Sequence, residues 1–369
     1  MILGIDASNI RDGGGVTHLI NFMSYLQPEK YEIKRVIVWG GTGLLDKLPT
    51  KPWLIRDYQI ELDRSLLSRF FWQKFKLPRL IQKTCDFMFY PGGVASTKKS
   101  PYVTMNRNML PFMPRERAYY GFSLMRLRLH LLEWLQKKSY QDAQGVIYLS
   151  EYARRQVNVA QKSEVIPHGV SNAHFSMRKN REKKAVFRFL YVSIVDVYKH
   201  HVEVIQAIAV LKSRGFDVRL DLIGPAYPPA LQNMLTVLQQ MDPESQFITY
   251  HGRVPHDTLA SYYDKADAFI FASSCEAFGQ IVTEAMAMGL PIACAYRAAM
   301  PEIVKDAALF FDPEDSQDIA RQLTHLIEND SLRERLSQKA QARSQEYRWE
   351  QCADRTLDFI RRVSQTCVE

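Results

Sequence analysis

The sequence predicts an α/β protein built from two doubly wound domains, each a parallel sheet covered by helices, and three observations carry that expectation. The chain has 369 residues, of which 46% are apolar. That is more than one hydrophobic core normally serves and enough to fill two. Short, wholly or largely apolar runs recur between longer polar–apolar stretches, the pattern of strands alternating with helices. The third observation is the crossover from Asp267 to Pro313. Ala268–Ala272 is apolar throughout, as a strand buried on both faces must be. Ile281, Val282, Ala285, Met286 and Met288 then recur at helical spacing, with Thr283, Glu284 and Ala287 on the other side, until Gly289 and Pro291 stop the helix. Ile292–Ala295 is the next strand. Ligands of open sheets bind at the carboxyl ends of the strands, so the loop Ser273–Gly279 is the expected ligand loop.

Taken in order, Ile2–Ala7 reads as the first strand and Val16–Leu26 as the helix after it, joined through Asp12-Gly13-Gly14-Gly15. Consecutive glycines permit positive φ and let a ligand approach a helix N-terminus closely. The spacing is neither G-x-G-x-x-G nor a Walker loop, and alone it reads more readily as a flexible turn than as a phosphate site. Arg35–Trp39, Phe87–Tyr90, Tyr102–Met105 and Val146–Leu149 are the further strands of this half. Asn106-Arg107-Asn108 closes one of them at the ligand-binding end. The stretch Leu124–Lys138 is helical, with Leu124, Leu127, Leu131, Trp134 and Leu135 on one stripe and Arg126, Arg128, Lys137 and Lys138 largely off it. Packing of that stripe on the sheet is expected, with an anionic membrane as the alternative partner. Ser150 caps the next helix, and His168, in Val165–Val170, reads as a hydrogen-bonded turn residue.

Residues 171–186, polar and charge-rich at their start, form the expected linker between a first domain over 1–170 and a second over 187–345. The second opens with the strand Phe189–Ser193, and Lys199 precedes a helix carrying Val204, Ile205, Ile208, Ala209 and Leu211. Val218–Gly224 and Phe247–Val254 are further strands, the latter containing Gly252 and Arg253. Leu309–Asp312 ends the sheet, two helices run from Ser316 to Ser344, and Trp349–Val363 is a terminal helix within 346–369. Glu276 on the ligand loop and Glu284 on the following helix are two carboxylates beside free helix amides. Together they suit a diphosphate flanked by polyols, although Glu284 reads equally as a solubilising helix acid.

Five cysteines, at 85, 275, 294, 352 and 367, have no metal-ligand spacing and no paired framework. A reducing, cytoplasmic setting without structural zinc is expected. The start has no basic leader, and no uncharged apolar run reaches ~18 residues, so neither a signal peptide nor a membrane-spanning helix is expected. The net charge of +8 is concentrated in the first half, notably Arg115–Lys138 and Arg178–Lys184. It suits phosphorylated substrates or peripheral association with the inner face of an anionic membrane. No zinc finger or RNA-recognition signature is present, so nucleic acid is not an expected partner.

Glu276, the seven residues after it, Glu284–Ala287, Gly289-Leu290-Pro291, Pro301–Val304 and Phe311-Asp312-Pro313 resemble the signature of the retaining glycosyltransferases of family 4 (group 1). The resemblance extends along most of the chain. It implies the GT-B fold, two Rossmann-like domains facing a cleft, with the terminal helix crossing back to the first, acceptor-side domain. It further implies transfer of a sugar from a nucleotide-diphosphate sugar to a sugar or lipid-linked acceptor, in cell-surface polysaccharide or glycolipid synthesis. By resemblance Glu276 meets the donor sugar, Glu284 the ribose and Lys199 the diphosphate, so Glu276 and Lys199 are the expected catalytic residues. Gly14, Gly15, Gly252, Arg253, Phe278, Gly279, Gln280 and Ile281 are the remaining donor-binding candidates, and Asn106, Arg107 and Asn108 the acceptor-side ones. No cofactor is implied, and no DxD metal motif stands at a strand end, so a divalent cation is expected to be dispensable.

The chain departs from the family's pattern in places. Ser193 and Ile194 stand where relatives place a Gly and the diphosphate Arg, Ala298 and Ala299 where glycines are common, and Asn106-Arg107 near where many carry His-Asp. These departures keep open a non-catalytic nucleotide-sugar-binding protein. A GT-B epimerase or phosphorylase is the other alternative.

Overall fold

The computed structural model describes residues 1–11, 13–159, 162–171 and 186–366, with the side chains of all but 256 and 257. Asp12, nearly all of the expected 171–186 linker and the basic run 178–184 lie outside the described residues.

The chain divides into two compact units. The first comprises Met1–Phe112, Leu127–Gly169 and Arg348–Glu369, the second Met113–Arg126 and Val170–Tyr347. The segment 113–126, within the stretch read as one domain over 1–170, thus packs with the second unit. Named bonds hold it there. The Tyr120 hydroxyl donates to Asp196 at 2.8 Å, and Arg115 pairs with Glu314 at 2.5 Å. The charge of Arg115–Lys138 is therefore not one outward basic surface: Arg115 is ion-paired, and Glu116 and Arg117 are buried.

The first unit contains β1 (Ile2–Asp6), β2 (Arg35–Gly40), β3 (Leu54–Tyr58), β4 (Phe87–Tyr90), β5 (Tyr102–Asn106), β6 (Gly145–Tyr148) and β7 (Ser163–Val165). They form a parallel sheet in the order β3-β2-β1-β4-β5-β6-β7. β3 and β7 are edge strands, short or charged and only partly buried, so no apolar run announces them. The second unit contains β8 (Phe187–Val192), β9 (Val218–Ile223), β10 (Ile248–Tyr250), β11 (Ala268–Phe271), β12 (Ile292–Ala295) and β13 (Ala308–Phe311). Its parallel order is β10-β9-β8-β11-β12-β13. Both sheets are doubly wound, and strand order reverses between β1 and β4 in the first and between β8 and β11 in the second. Such switch points open the crevice where ligands bind.

Two expectations about helix faces are overturned. On the helix Leu124–Asp142 the stripe Leu124, Leu127, Leu131 and Trp134 is exposed, and Leu129, Gln136, Ser139 and Tyr140 are buried instead. That inner face is satisfied by hydrogen bonds. Ser139 accepts from the Ala95 amide at 2.9 Å, and its carbonyl accepts from the Tyr102 hydroxyl at 2.8 Å. In the crossover helix Gln280–Ala287, Thr283, Glu284 and Ala287 are buried along with the apolar positions. The helix Asp330–Ser344 covers its other side.

In the first unit the terminal helix Trp349–Gln365 packs on the helix Gly14–Tyr25. His168, read as a turn residue, is buried and stacks on His18 with ring centres 4.5 Å apart; Trp349 lies 5.5 Å from it. Gly169 is dictated by this contact, since a Cβ there would lie 2.1 Å from the Trp349 nitrogen. Burial, then the neighbouring His168 and Arg107, hold the His18 imidazole well below its usual pKa, so it stays neutral. An unfolded histidine protonates near pH 6.5 and folded His18 does not. Stability from this group is therefore full above about pH 6.5 and is lost as pH falls, by about 1.4 kcal/mol per unit. The thermal midpoint should drop between pH 7.5 and 5.5, and His18→Phe should narrow that drop. An equal drop in the variant would remove His18 from the account.

Candidate functional site

The β8/β11 switch point brings two loops together. After β8 the chain passes Ser193 and the exposed Ile194 to Asp196, whose carboxylate accepts from the Val197 amide and the Tyr120 hydroxyl, both at 2.8 Å. That cap starts the single turn Val197–Lys199. The turn is stitched to its neighbours on both sides. The Tyr191 hydroxyl donates to the Lys199 carbonyl at 2.6 Å, and the Ser274 amide on the loop after β11 donates to the Tyr198 carbonyl at 2.9 Å.

These bonds aim Lys199 at Glu276, and its ammonium donates to the carboxylate with side-chain exposures of 8% and 18%. The rings of Tyr198 and Phe271 lie 5.0 and 5.3 Å from the ammonium. Buried charges need such a partner. The Lys199 expected at a helix start is thus neither solvated nor capping. Burial first and the Glu276 charge second push the Tyr191 and Tyr198 hydroxyls well above their usual range. His201 stacks on Tyr191 at 4.5 Å, and burial, then Lys199, push its pKa down to about 3. It is a neutral packing residue.

Beyond Glu276, Gly279 turns the chain sharply at φ 86°, where a Cβ would lie 2.5 Å from the Met300 methyl. The amides of Gln280 and Ile281 precede the first helical bond, from Val282 to the Gly279 carbonyl at 2.9 Å, and so stand at a positive helix end. Glu284 is buried one turn further on. The Tyr263 hydroxyl donates to it at 3.3 Å, and burial pushes its carboxyl up to about 7. A helix-solubilising role is excluded by that burial. The Phe278 side chain is buried and packs edge-on against Tyr347 at 5.3 Å. Gly252 has φ 66° and its carbonyl accepts from the Gly224 amide at 2.8 Å. Exposed Arg253 follows β10, the edge strand two places from β8 and thus about 10 Å along the sheet. The structure joins Lys199 to Glu276 and leaves Arg253 outside that pair.

In the first unit the helix Gly14–Tyr25 begins at the glycine run, with Gly13 at φ 64°. A Cβ on Gly15 would lie 2.8 Å from Nη2 of Arg107, so the guanidinium rests on the glycine. Among the described residues Nε and Nη1 of Arg107 are buried without a hydrogen-bond partner, and burial lowers its pKa to about 10, leaving it cationic. A helix N-terminus beside an unsatisfied guanidinium is an anion cradle. The other acceptor-side candidates do not share it. Asn106 is buried and donates to the Tyr140 hydroxyl at 3.2 Å, and Asn108 caps the Leu110 amide at 3.1 Å.

Sequence reasoning missed Asp6, Glu116, Tyr120 and Asp196. Asp6 ends β1 at the first switch point and accepts from the Ser8 amide at 3.0 Å and the Ser96 hydroxyl at 2.8 Å. Its place at a strand's carboxyl end was the available signal. Glu116 is buried, its Oε2 without a hydrogen-bond partner among the described residues, and its charge adds to burial and Glu276 in raising the Cys275 thiol. Nothing in the spacing of 113–126 indicates that it leaves the first unit. Among the described residues no group of three or more His, Cys, Asp or Glu is arranged to hold a metal ion.

Two Rossmann-like parallel sheets, each with its polar residues at a switch point, define the GT-B fold, and solved structures agree. Sucrose-phosphate synthase from Thermosynechococcus elongatus superposes with a TM-score of 0.77 at 16% identity, covering 99% of this chain and 100% of that one. HepE of Anabaena, solved with UDP and glucose, gives 0.70 at 19% identity, covering 97% and 99%. Residues 173–343 match the family model described as glycosyl transferases group 1. Over those residues the chain is similar to the group 1 glycosyl transferases. The O-antigen chain mannosyltransferase B of Escherichia coli is 30% identical over 169 residues, 46% of this chain and 44% of that protein. A D-inositol 3-phosphate glycosyltransferase of a Nocardioides species is 33% identical over 112 residues, 30% and 24%. The chain thus matches less than half the length of these curated relatives.

Removing one member of a buried ion pair strands the other, at a cost of about 3 kcal/mol. Lys199→Met should lower the unfolding free energy by that order, and Lys199→Met with Glu276→Gln should recover most of it. Comparable losses in the single and double variants, by denaturant unfolding, would show that the pair is not a coupled buried unit.

Proposed function

We propose that the chain is a retaining glycosyltransferase that moves a sugar from a nucleoside-diphosphate sugar to a hydroxyl acceptor, in cell-surface polysaccharide or glycolipid synthesis. The observation carrying this reading is the buried Lys199–Glu276 pair at the β8/β11 switch point, one turn from the amides of Gln280 and Ile281. A diphosphate needs cations and amides, and a hexose needs a carboxylate to accept from its hydroxyls; this cluster supplies both. The family match over 173–343 and the bound UDP and glucose in HepE support it.

In the proposed reaction the acceptor oxygen attacks the anomeric carbon on the face the diphosphate leaves. The new C–O bond forms as the bond to the diphosphate oxygen breaks, and the acceptor's proton passes to that departing oxygen. The products are the glycoside and the nucleoside diphosphate, with the anomeric configuration kept. Lys199 and the helix amides stabilise the leaving charge, Glu276 orients the sugar and Glu284 accepts from the ribose diol. These groups supply the charge compensation themselves, so a divalent cation is dispensable in this proposal. The Gly14–Gly15 turn with Arg107 takes an anionic group. Four free cysteines among the described residues favour a reducing, cytoplasmic setting. Ile194, exposed at the end of β8 where an arginine would reach the ligand edge, favours one second reading, a non-catalytic nucleotide-sugar-binding protein.

The two carboxylates separate under substitution. Glu276→Ala should still bind nucleoside diphosphate, while transfer falls at least about tenfold. Glu284→Ala should weaken diphosphate and nucleotide sugar alike by about 1–3 kcal/mol, read by calorimetry. Only the ionised Glu284 accepts from both ribose hydroxyls, so affinity should rise with pH through about 7 and level off above it, a rise that Glu284→Gln abolishes. Lys199→Ala should cost about 10²–10³ in turnover, and Ile194→Arg should raise it. Absence of sugar transfer from any nucleotide sugar, with binding intact, decides for the second reading.

A further inference from the structure

The connection from β3 to β4 is apolar on both of its faces. Its inner face joins the first unit's core through Leu62, Trp72, Leu77 and Ile81. Its outer face leaves Ile60, Leu66, Leu67, Phe70, Phe71 and Phe75 exposed at 55–75%. The helix Leu66–Phe71 runs into a wider π turn, Trp72–Lys76, and from there into the helix Leu77–Thr84. That insertion lets Trp72 turn inward while its neighbours stay out. Phe71 touches Phe70 and Phe75 with ring centres 5.8 and 6.0 Å apart, so these three rings are contiguous, and the turn Ile60–Leu62 lies beside their helix. Isolated exposed apolar residues need no explanation, but a contiguous ridge does.

The charge of the same segment indicates what covers it. Residues 64–84 carry Arg64, Arg69, Lys74, Lys76, Arg79 and Lys83 and no acid; the two acids at the start of the ridge are engaged, Glu61 by Lys76 and Asp63 by the Thr42 amide. All but Arg69 are exposed, and of these Lys76 reaches outside the segment to pair with Glu61 at 2.8 Å. A protein partner or a second copy of this chain would be served by a rim of both signs. With both of its acids engaged, a rim cationic on balance around phenylalanine and leucine complements anionic headgroups above acyl chains. The ridge is also tied to the ligand edge of its sheet. Gln73, on the π turn, donates at 2.6 Å to Ser8, which hydrogen-bonds Asp6 at the end of β1.

We infer that the ridge 60–75 seats the first unit on an anionic lipid bilayer, so that the acceptor is a hydroxyl group carried on a membrane-anchored molecule. The choice of acceptor rests on the transferase reading above; the docking surface does not. The surface differs from the one expected from the charge of Arg115–Lys138.

The test is co-sedimentation of the full chain with phosphatidylcholine vesicles, with and without phosphatidylglycerol, at low and high salt. Binding should need the anionic lipid and fall with salt. The triple variant Phe70→Ser, Phe71→Ser, Phe75→Ser and the pair Lys74→Glu, Arg79→Glu should each lose at least about tenfold in binding. Their thermal shift with a nucleoside diphosphate should match the parent's, which separates loss of the surface from loss of the fold or donor site. Equal recovery with neutral and anionic vesicles overturns the inference. So does undiminished binding of the ridge variants, which would move the surface to the exposed stripe of the helix Leu124–Asp142. A dimer in sedimentation velocity that the triple variant dissociates, with vesicle binding unchanged, overturns it in favour of a second copy. Ridge-dependent vesicle binding without any diphosphate thermal shift leaves the surface standing and removes the transferase reading.

Discussion

A lysine and a glutamate taken out of water together are the constraint on which the second unit's polar architecture depends. Desolvating either charge alone costs several kcal/mol, and their attraction offsets that only where geometry is held fixed. The holding is visible bond by bond. Tyr120 braces Asp196, Asp196 caps the turn, and Tyr191 and Ser274 pin the carbonyls of Lys199 and Tyr198. The segment 113–126 belongs with the second unit for this reason, since without Tyr120 the capping carboxylate loses its side-chain donor. Parallel topology does the rest. Only at the reversal between β8 and β11 do two successive carboxyl-end loops lie side by side with room between them.

The two acids of the crossover meet different surroundings. Glu276 faces a cation. Glu284 accepts from the Tyr263 hydroxyl, and burial raises its carboxyl to about 7. A group held near its titration point inside a helix is costly to the free protein and is relieved by a ligand that donates hydrogen bonds to its charged form. Pairing of Lys199 with Glu276 has a related consequence. The ammonium is already positioned and partly desolvated, so a phosphate arriving there meets a charge that needs little reorganisation.

Much of this was legible in the residues. The apolar runs at 87–90, 102–105, 268–272 and 292–295 announce buried parallel strands because both faces must be apolar, and the glycine–proline stop at 289–291 marks the crossover's end. Glu276 and Glu284 were legible from their place after a strand. The misses share one physical cause, that periodicity reports composition and not what a face meets. The stripe on Leu124–Asp142 looked like a core face, yet hydrogen bonds of Ser139, Tyr140 and Asn106 made the polar side the inner one. Asn106 was spent on Tyr140, which left Arg107, seated on Gly15, as the group beside the helix amides. The switch of 113–126 between units depends on contacts more than 70 residues away in sequence, such as Tyr120 with Asp196, and local pattern cannot carry it.

The most direct measurement is a crystal structure of the protein soaked with a nucleoside diphosphate. The account predicts the diphosphate at the carboxyl ends of β8 and β11, with the Lys199 ammonium turned from Glu276 to a phosphate oxygen, the amides of Gln280 and Ile281 on the same group and Glu284 on the ribose. A diphosphate bound elsewhere, with the Lys199–Glu276 pair intact, would contradict it.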